Sequence, residues 1–209
     1  MLFPYLDFFQ MIHSMASYYN SKDSKAFVCM FESCCSMIPN EDPLKNTIYD
    51  AYNLYPLTQK NLESSYYLLQ WSYMINSYVH KVLYQTNYMI FTDFLIKYDH
   101  SHMIITTWSH PTWKMIHYYA STYDLTEKYR LSYKAFISCL QFLLPCPKCK
   151  NHLTENLASH PIDKYFGSVN DLFLWSYILH QTVSIQTQSI SISLEDARRL
   201  YKLNNFSTA

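Results

Sequence analysis

A single glycine, Gly167, interrupts 209 residues, and this scarcity limits both the fold and the chemistry open to the chain. About 7%, roughly fifteen residues, would be ordinary. A phosphate-binding P-loop or a dinucleotide-binding GxGxxG turn needs several glycines for close backbone approach. Any nucleotide held here must therefore be gripped by side chains. Tight hairpin turns also depend on glycine, which disfavours strand-rich folds. With 21 Tyr, 12 Phe and 4 Trp, apolar surface for a core is ample, and an all-α chain is expected. Sixteen basic residues balance sixteen acidic ones, whereas phosphate backbones demand a clustered positive excess. Nucleic acid is not an expected partner. Nor is a membrane, because no apolar run reaches about 18 residues.

Punctuation along the chain marks helices. Asp42-Pro43 reads as an N-cap followed by proline at the first helical position. Tyr55-Pro56-Leu57-Thr58 closes one helix and caps the next. From about Gln59 to Lys97 neither proline nor glycine intervenes, and Leu68, Ile75, Val82, Met89 and Ile96 recur every seven residues, predicting a buried packing seam. The second half opens with a helix from Pro111 to about Thr122, and a second runs from about 127 to 143 until Pro145 stops it. A third begins near Cys146 and fades before Pro161. Ser168 with Asp171 caps a fourth, Val169 to about Gln188, and Ser193 caps a short fifth. The expected organisation is an N-terminal helical region over 1–105, without recognisable chemistry, and a compact bundle of four helices plus a fifth over 106–209.

Cys146-Pro-Lys-Cys149 is the sharpest local signal. Spacing of i, i+3 on a first helical turn puts both sulfurs on one face, within disulfide reach. Unpaired amides at the helix start, with Lys148 and Lys150 adjacent, favour thiolate over thiol. Three readings are open: a dithiol exchanging electrons with a cofactor, a zinc site recruiting His152 or His160, and a thioredoxin-like motif, which should follow a strand. Elsewhere, Trp113 and His117 lie one turn apart on one helix, and Trp175 and His180 lie on another. Each pair alone suits a packed core.

Taken in order, W-x-x-x-H, C-x-x-C and W-x-x-x-x-H over about 108–205 resemble the Erv/ALR family of FAD-linked sulfhydryl oxidases, including its large-DNA-virus, baculovirus-like members. The resemblance implies a helical bundle that holds FAD without a glycine loop. By motif position Trp113, His117, Trp175, His180 and Val183 would line the cofactor, with Tyr123 and Ala120 at the positions where relatives carry an aromatic and a small residue. Cys149 would lie against the flavin and Cys146 would exchange with substrate. The implied reaction converts two thiols and O₂ into a disulfide and hydrogen peroxide, on thiol-containing protein substrates that include virion proteins. A homodimer is implied as well. Gln181 and Ser184 stand where the family carries asparagines, and Ser189 where it carries a base, so Arg198, Arg199 and Lys202 are the candidates to face the FAD phosphates.

The opening stretch Met1-Leu-Phe-Pro-Tyr-Leu-Asp7 lacks a basic segment, so no signal peptide is expected. Residence in the cytoplasm or nucleus of a host cell follows as an expectation, with packaging in the virion. Cys29, Cys34 and Cys35 read either as core residues or as a shuttle dithiol, and Cys139 as core. The competing function is a zinc-stabilised helical interaction protein using Cys146, Cys149 and His152. A third is a scaffold whose oxidase half has lapsed.

Overall fold

The computed structural model describes residues 3–98 and 108–203, and among these the chain is all helical, with ten α-helices and no strand. The expected boundary at 105/106, together with His100 and His102, lies outside the described residues. Five helices precede it: α1 (Tyr5–Ser17), α2 (Ser24–Ser36), α3 (Pro43–Leu54), α4 (Ser65–Tyr84) and α5 (Phe91–Tyr98). Five follow: α6 (Ser109–Ser121), α7 (Glu127–Leu143), α8 (Pro147–Ser159), α9 (Val169–Thr187) and α10 (Leu194–Leu200).

The helices begin where the side chains can cap them. Asp42 accepts the amide of Leu44, and Ser64, Thr126 and Ser193 accept the amides of Tyr67, Tyr129 and Asp196. Ser168 accepts the Asp171 amide and donates its hydroxyl to the Asp171 carboxylate. A Cβ on Gly167 would stand 3.1 Å from Asp171 Oδ2, a tight contact with the carboxylate that Ser168 holds. Where other chains end helices with glycine, this one uses left-handed glutamines, Gln85 (φ 52°) after α4 and Gln188 (φ 54°) after α9. Each strains its backbone by roughly 1–2 kcal/mol.

Gln85 also breaks the seam expected over Gln59–Lys97. Leu68 and Ile75 are buried, but Val82 (47% exposed) and Ile96 (68% exposed) face solvent, because α4 stops at Tyr84 and α5 starts on a new axis at Phe91. Thr58 caps only a 3₁₀ turn, Gln59–Leu62, through a reciprocal pairing with Asn61, and α4 takes its own cap from Ser64.

The two sets of five helices are copies of one another. Residues 9–17, FQMIHSMAS, align with residues 113–121, WKMIHYYAS, and Trp71-Ser-Tyr73 aligns with Trp175-Ser-Tyr177, each 104 positions on. The contacts repeat as well. Tyr19 donates to the carbonyl of Leu62, and Tyr123 to that of Phe166, both across 43 residues. Trp71 Nε1 donates to Tyr55 O, and Trp175 Nε1 to His160 O. After the left-handed glutamines the spacing becomes 103, so Tyr98 corresponds to Tyr201 and Phe94 to Ala197.

The repeats join face to face. Helix α2 packs along α7 and α1 against α6. Tyr119 donates to the carbonyl of Cys34, Ser36 to Ser132, and Lys114 pairs with Asp7 at 3.0 Å. One continuous core results, in which Phe8, Phe27, Trp71, Phe136 and Trp175 are fully buried or nearly so. Among the described residues no helix is long and apolar enough to cross a membrane.

Candidate active site

Cys146 and Cys149 form a disulfide at the start of α8, with Cα atoms 5.1 Å apart. Cys146 is the N-cap residue, in extended conformation, and its sulfur accepts the Cys149 backbone N–H at 3.2 Å. Pro147 takes the first helical position, where its missing N–H costs nothing. When the disulfide opens, the amides of the first turn stabilise a thiolate on Cys146. Lys150 does not serve that charge: its ammonium is tied to the Phe142 carbonyl at the end of α7 and lies 3.9 Å from Asp23.

Helix α8 reaches α9 through two contacts. Asn156 and Gln186 exchange amide hydrogen bonds at 3.1 Å, and Trp175 Nε1 donates to His160 O at 2.8 Å. Moving from His160 back to Asn156 thus moves from Trp175 forward to Gln186. The antiparallel course carries the disulfide end of α8 toward the C-terminal half of α9.

That half of α9 meets α6 in a stack of rings. Trp113 lies flat on His180, with centroids 4.1 Å apart and planes 7° from parallel, and at 5.9 Å and 24° from His117. Tyr201, from the turn after α10, closes on His117 at 5.6 Å. The hydrogen positions follow from the network. Ser176 donates to Phe173 O, so its oxygen accepts Nδ1–H of His117 at 2.9 Å. Nε2 of His117 is then bare and accepts Nδ1–H of His180 at 2.9 Å. The remaining nitrogen of His180, Nε2, is left as an acceptor. Burial first, and the neighbouring His180 second, lower the His117 pKa to about 3; burial and His110 lower that of His180 to about 4. Both rings are neutral near pH 7. Flat, uncharged faces ending in a nitrogen acceptor suit a planar heteroaromatic group that carries N–H or O–H donors.

The other expected residues are placed differently. Trp175 is fully buried, with its ring edge-on to Tyr133 at 6.1 Å, and it braces α8 instead of offering a face. Tyr123 wedges between Tyr129 and Phe166 at the far end of α6. Gln181 spends both ends of its amide on the segment after α9, donating to Ile192 O and accepting from Ser191. Ser184 is buried, Val183 is half-buried, and Arg199 is paired with Glu195 and Asp196. Tyr201 carries no motif, and only its correspondence to Tyr98 marks it. Among the described residues no group of three or more His, Cys, Asp or Glu side chains could hold a metal ion, which leaves the zinc reading of Cys146, Cys149 and His152 without a ligand set.

The first repeat shows what the second has kept open. Leu69 O, Ser72, His13 and Asn76 repeat the relay with the same separations, 59 and 63 residues, but there Tyr5 donates into Asn76 and closes it. Phe94 stands edge-on to His13 at 4.7 Å, where Ala197 follows in the second repeat. Asp42-Pro-Leu-Lys45 occupies the place of Cys146-Pro-Lys-Cys149, and Lys45 donates to Ser36 O and Ile38 O. Among the described residues the N-terminal repeat carries no disulfide, and Tyr5 and Phe94 close on its relay.

Comparison with known proteins agrees with this division. The model of the Erv1 / Alr family matches residues 110–202, within the second repeat. An FAD-linked sulfhydryl oxidase of African swine fever virus is 24% identical over 103 residues, covering 48% of this chain and 85% of the viral protein. A probable FAD-linked sulfhydryl oxidase of Acanthamoeba polyphaga mimivirus is 27% identical over 93 residues, covering 43% of this chain and 65% of that one. A putative FAD-linked sulfhydryl oxidase of Invertebrate iridescent virus 3 is 22% identical over 98 residues, covering 46% of this chain and 66% of that one. The match thus spans just under two thirds of the second and third of these relatives. No solved structure matches the chain. The part of the chain that matches the Erv1 / Alr family model is thus its second repeat, the one with a disulfide at a helix start and two neutral histidines in a ring stack.

Proposed function

We propose that the chain is an FAD-dependent thiol oxidase that forms disulfides in protein substrates, virion proteins among them, and reduces O₂ to hydrogen peroxide. The observation that carries this reading is the pairing of a helix-capping disulfide with a stack of neutral rings on the adjoining helices, in one repeat and not in the other. The ring stack fits FAD: Trp113, His117, His180 and Tyr201 offer faces, and His180 Nε2 offers an acceptor. When bound, FAD takes two electrons from the reduced cysteine pair and passes them to O₂.

The chain's own residues do the exchange. A substrate thiolate attacks Cys146 Sγ, and Cys149 leaves as a thiolate. A second substrate thiolate then attacks the mixed disulfide. The substrate disulfide departs and Cys146 is left as a thiolate, its charge met by the Cys149 amide. Two substrate thiols are oxidised and the Cys146–Cys149 bond is reduced. The homodimer expected from the resemblance would use faces left exposed after α1 packs on α6 and α2 on α7 within the chain.

The test is a visible spectrum and metal analysis on one purified sample, with oxygen consumption followed on a dithiol. Flavin absorbance, no stoichiometric zinc and steady oxygen uptake are expected. Cys149→Ser should abolish turnover and flavin reduction, and Cys146→Ser should abolish turnover while retaining flavin. Turnover at the wild-type rate in either variant removes the roles given to these sulfurs.

A further inference from the structure

Cys29 on α2 and Cys139 on α7 belong to different repeats, yet they meet across the α2–α7 seam. The register brings this about. Ser36 faces Ser132 in a 2.7 Å hydrogen bond, and seven residues back along α2 and seven forward along α7 lie Cys29 and Cys139. Seven residues are close to two turns, so both positions return to the facing sides. Both thiols line one open cleft of about 370 Å³, with Lys22, Asp23, Lys25 and Phe142 at its walls. Cys29 is half-buried, whereas Cys34 and Cys35 are buried in the core. A reachable thiol, a second thiol facing it and two lysines against one aspartate leave the cleft with a net positive charge, which suits exchange with an anionic disulfide.

We propose that Cys29 and Cys139 are a second redox couple, which exchanges with a low-molecular-weight anionic disulfide such as oxidised glutathione and so staples the two repeats together. The Cys29 thiolate attacks one glutathione sulfur, forming a mixed disulfide and releasing one glutathione thiolate. The Cys139 sulfur then attacks Cys29 Sγ and gives its proton to the departing second thiolate. Two protein thiols become one disulfide, and one glutathione disulfide becomes two glutathione molecules. The first step falls to Cys29 because burial and the adjacent Cys29 sulfur push the Cys139 thiol up to about 12. The site stands on the α2–α7 geometry and is independent of the oxidase reading.

The full chain, reduced and desalted under nitrogen, is exposed to oxidised glutathione, denatured in an alkylating agent and mapped by peptide mass spectrometry. The expected product links the Cys29 and Cys139 peptides and leaves Cys34 and Cys35 alkylated. Closing so long a loop should raise Tm by roughly 5–10 °C. Cys139→Ser should stall as a glutathione adduct on Cys29, with no rise in Tm, and Cys29→Ser should show neither adduct nor link. A wild-type chain that keeps all four thiols alkylatable, or that carries glutathione on Cys29 without the link to Cys139, overturns the proposal. A chain that forms the link but holds no flavin overturns the oxidase reading and leaves this one standing.

Discussion

Serine 176 sets the polarity of the ring stack. Its hydroxyl is committed to Phe173 O, which makes it an acceptor for His117 and turns the histidine pair toward a bare nitrogen at His180. Ser176→Ala leaves the buried Nδ1–H of His117 without a partner, and a loss of about 1–3 kcal/mol is expected in unfolding free energy from urea denaturation. A variant as stable as the parent would show that the relay is not what orients His117. The same burial makes stability depend on pH. His13, His117 and His180 are held neutral, with pKa values lowered to about 3, 3 and 4, whereas an unfolded histidine titrates near its usual value of about 6.5. Above that value both states are neutral and nothing changes. Below it the unfolded chain binds more protons, so stability falls with acidification, by at most about 1.4 kcal/mol per pH unit for each histidine. The urea midpoint should be flat above pH 7.5 and decline steadily from pH 6 to pH 4. A flat profile down to pH 5 would mean that these rings accept protons in place.

At the scale of elements, much of the architecture is legible, because capping is local chemistry. Asp42-Pro43, Ser168 with Asp171, Ser193 and Cys146-Pro147 each start a helix through their own side chains. Stops without glycine are not legible in this way. Gln85 ends α4 in the left-handed region, so a seven-residue pattern drawn through it as far as Ile96 spans two helices. Site residues divide along the same line. Trp113 and His117 are readable as partners from helical spacing, but that His180 stacks on Trp113, and that Trp175 faces the core beside Tyr133, depend on packing between helices. The turn between α6 and α7 offers a test of the glycine shortage. Leu125 takes φ 63° while 60% exposed, so it bears left-handed strain and contributes little burial. Leu125→Gly should relieve about 1 kcal/mol of strain, partly offset by the freer unfolded chain. A net gain of roughly 0.5 kcal/mol in chemical denaturation is expected, and a loss would show that the side chain holds the turn through contact.

Duplication governs the whole molecule, and it was readable in the sequence from FQMIH against WKMIH and from WSY against WSY, 104 residues apart. Divergence elsewhere hides it, because a core tolerates exchanges that keep volume and pattern, whereas the buried His–Ser relay survives in both copies since an unpaired buried nitrogen is costly. The copies then differ where a ligand would enter. Tyr5 and Phe94 close on the relay of the first repeat, and Asp42 stands there where the second repeat has the sulfur of Cys146. A chain with two bundles is therefore expected to carry one flavin, measured as the ratio of visible flavin absorbance to chain concentration. Trp113→Ala should lower that ratio severalfold, because it removes the ring stacked on His180 at 4.1 Å. Phe9→Ala, the same truncation in the first repeat, should leave the ratio at one flavin per folded chain while lowering stability by about 3–5 kcal/mol through the cavity it opens. Two flavins per chain, or equal loss of flavin from both variants, would contradict the division of labour. In that case the first repeat would be a working site and not a folded brace for the second.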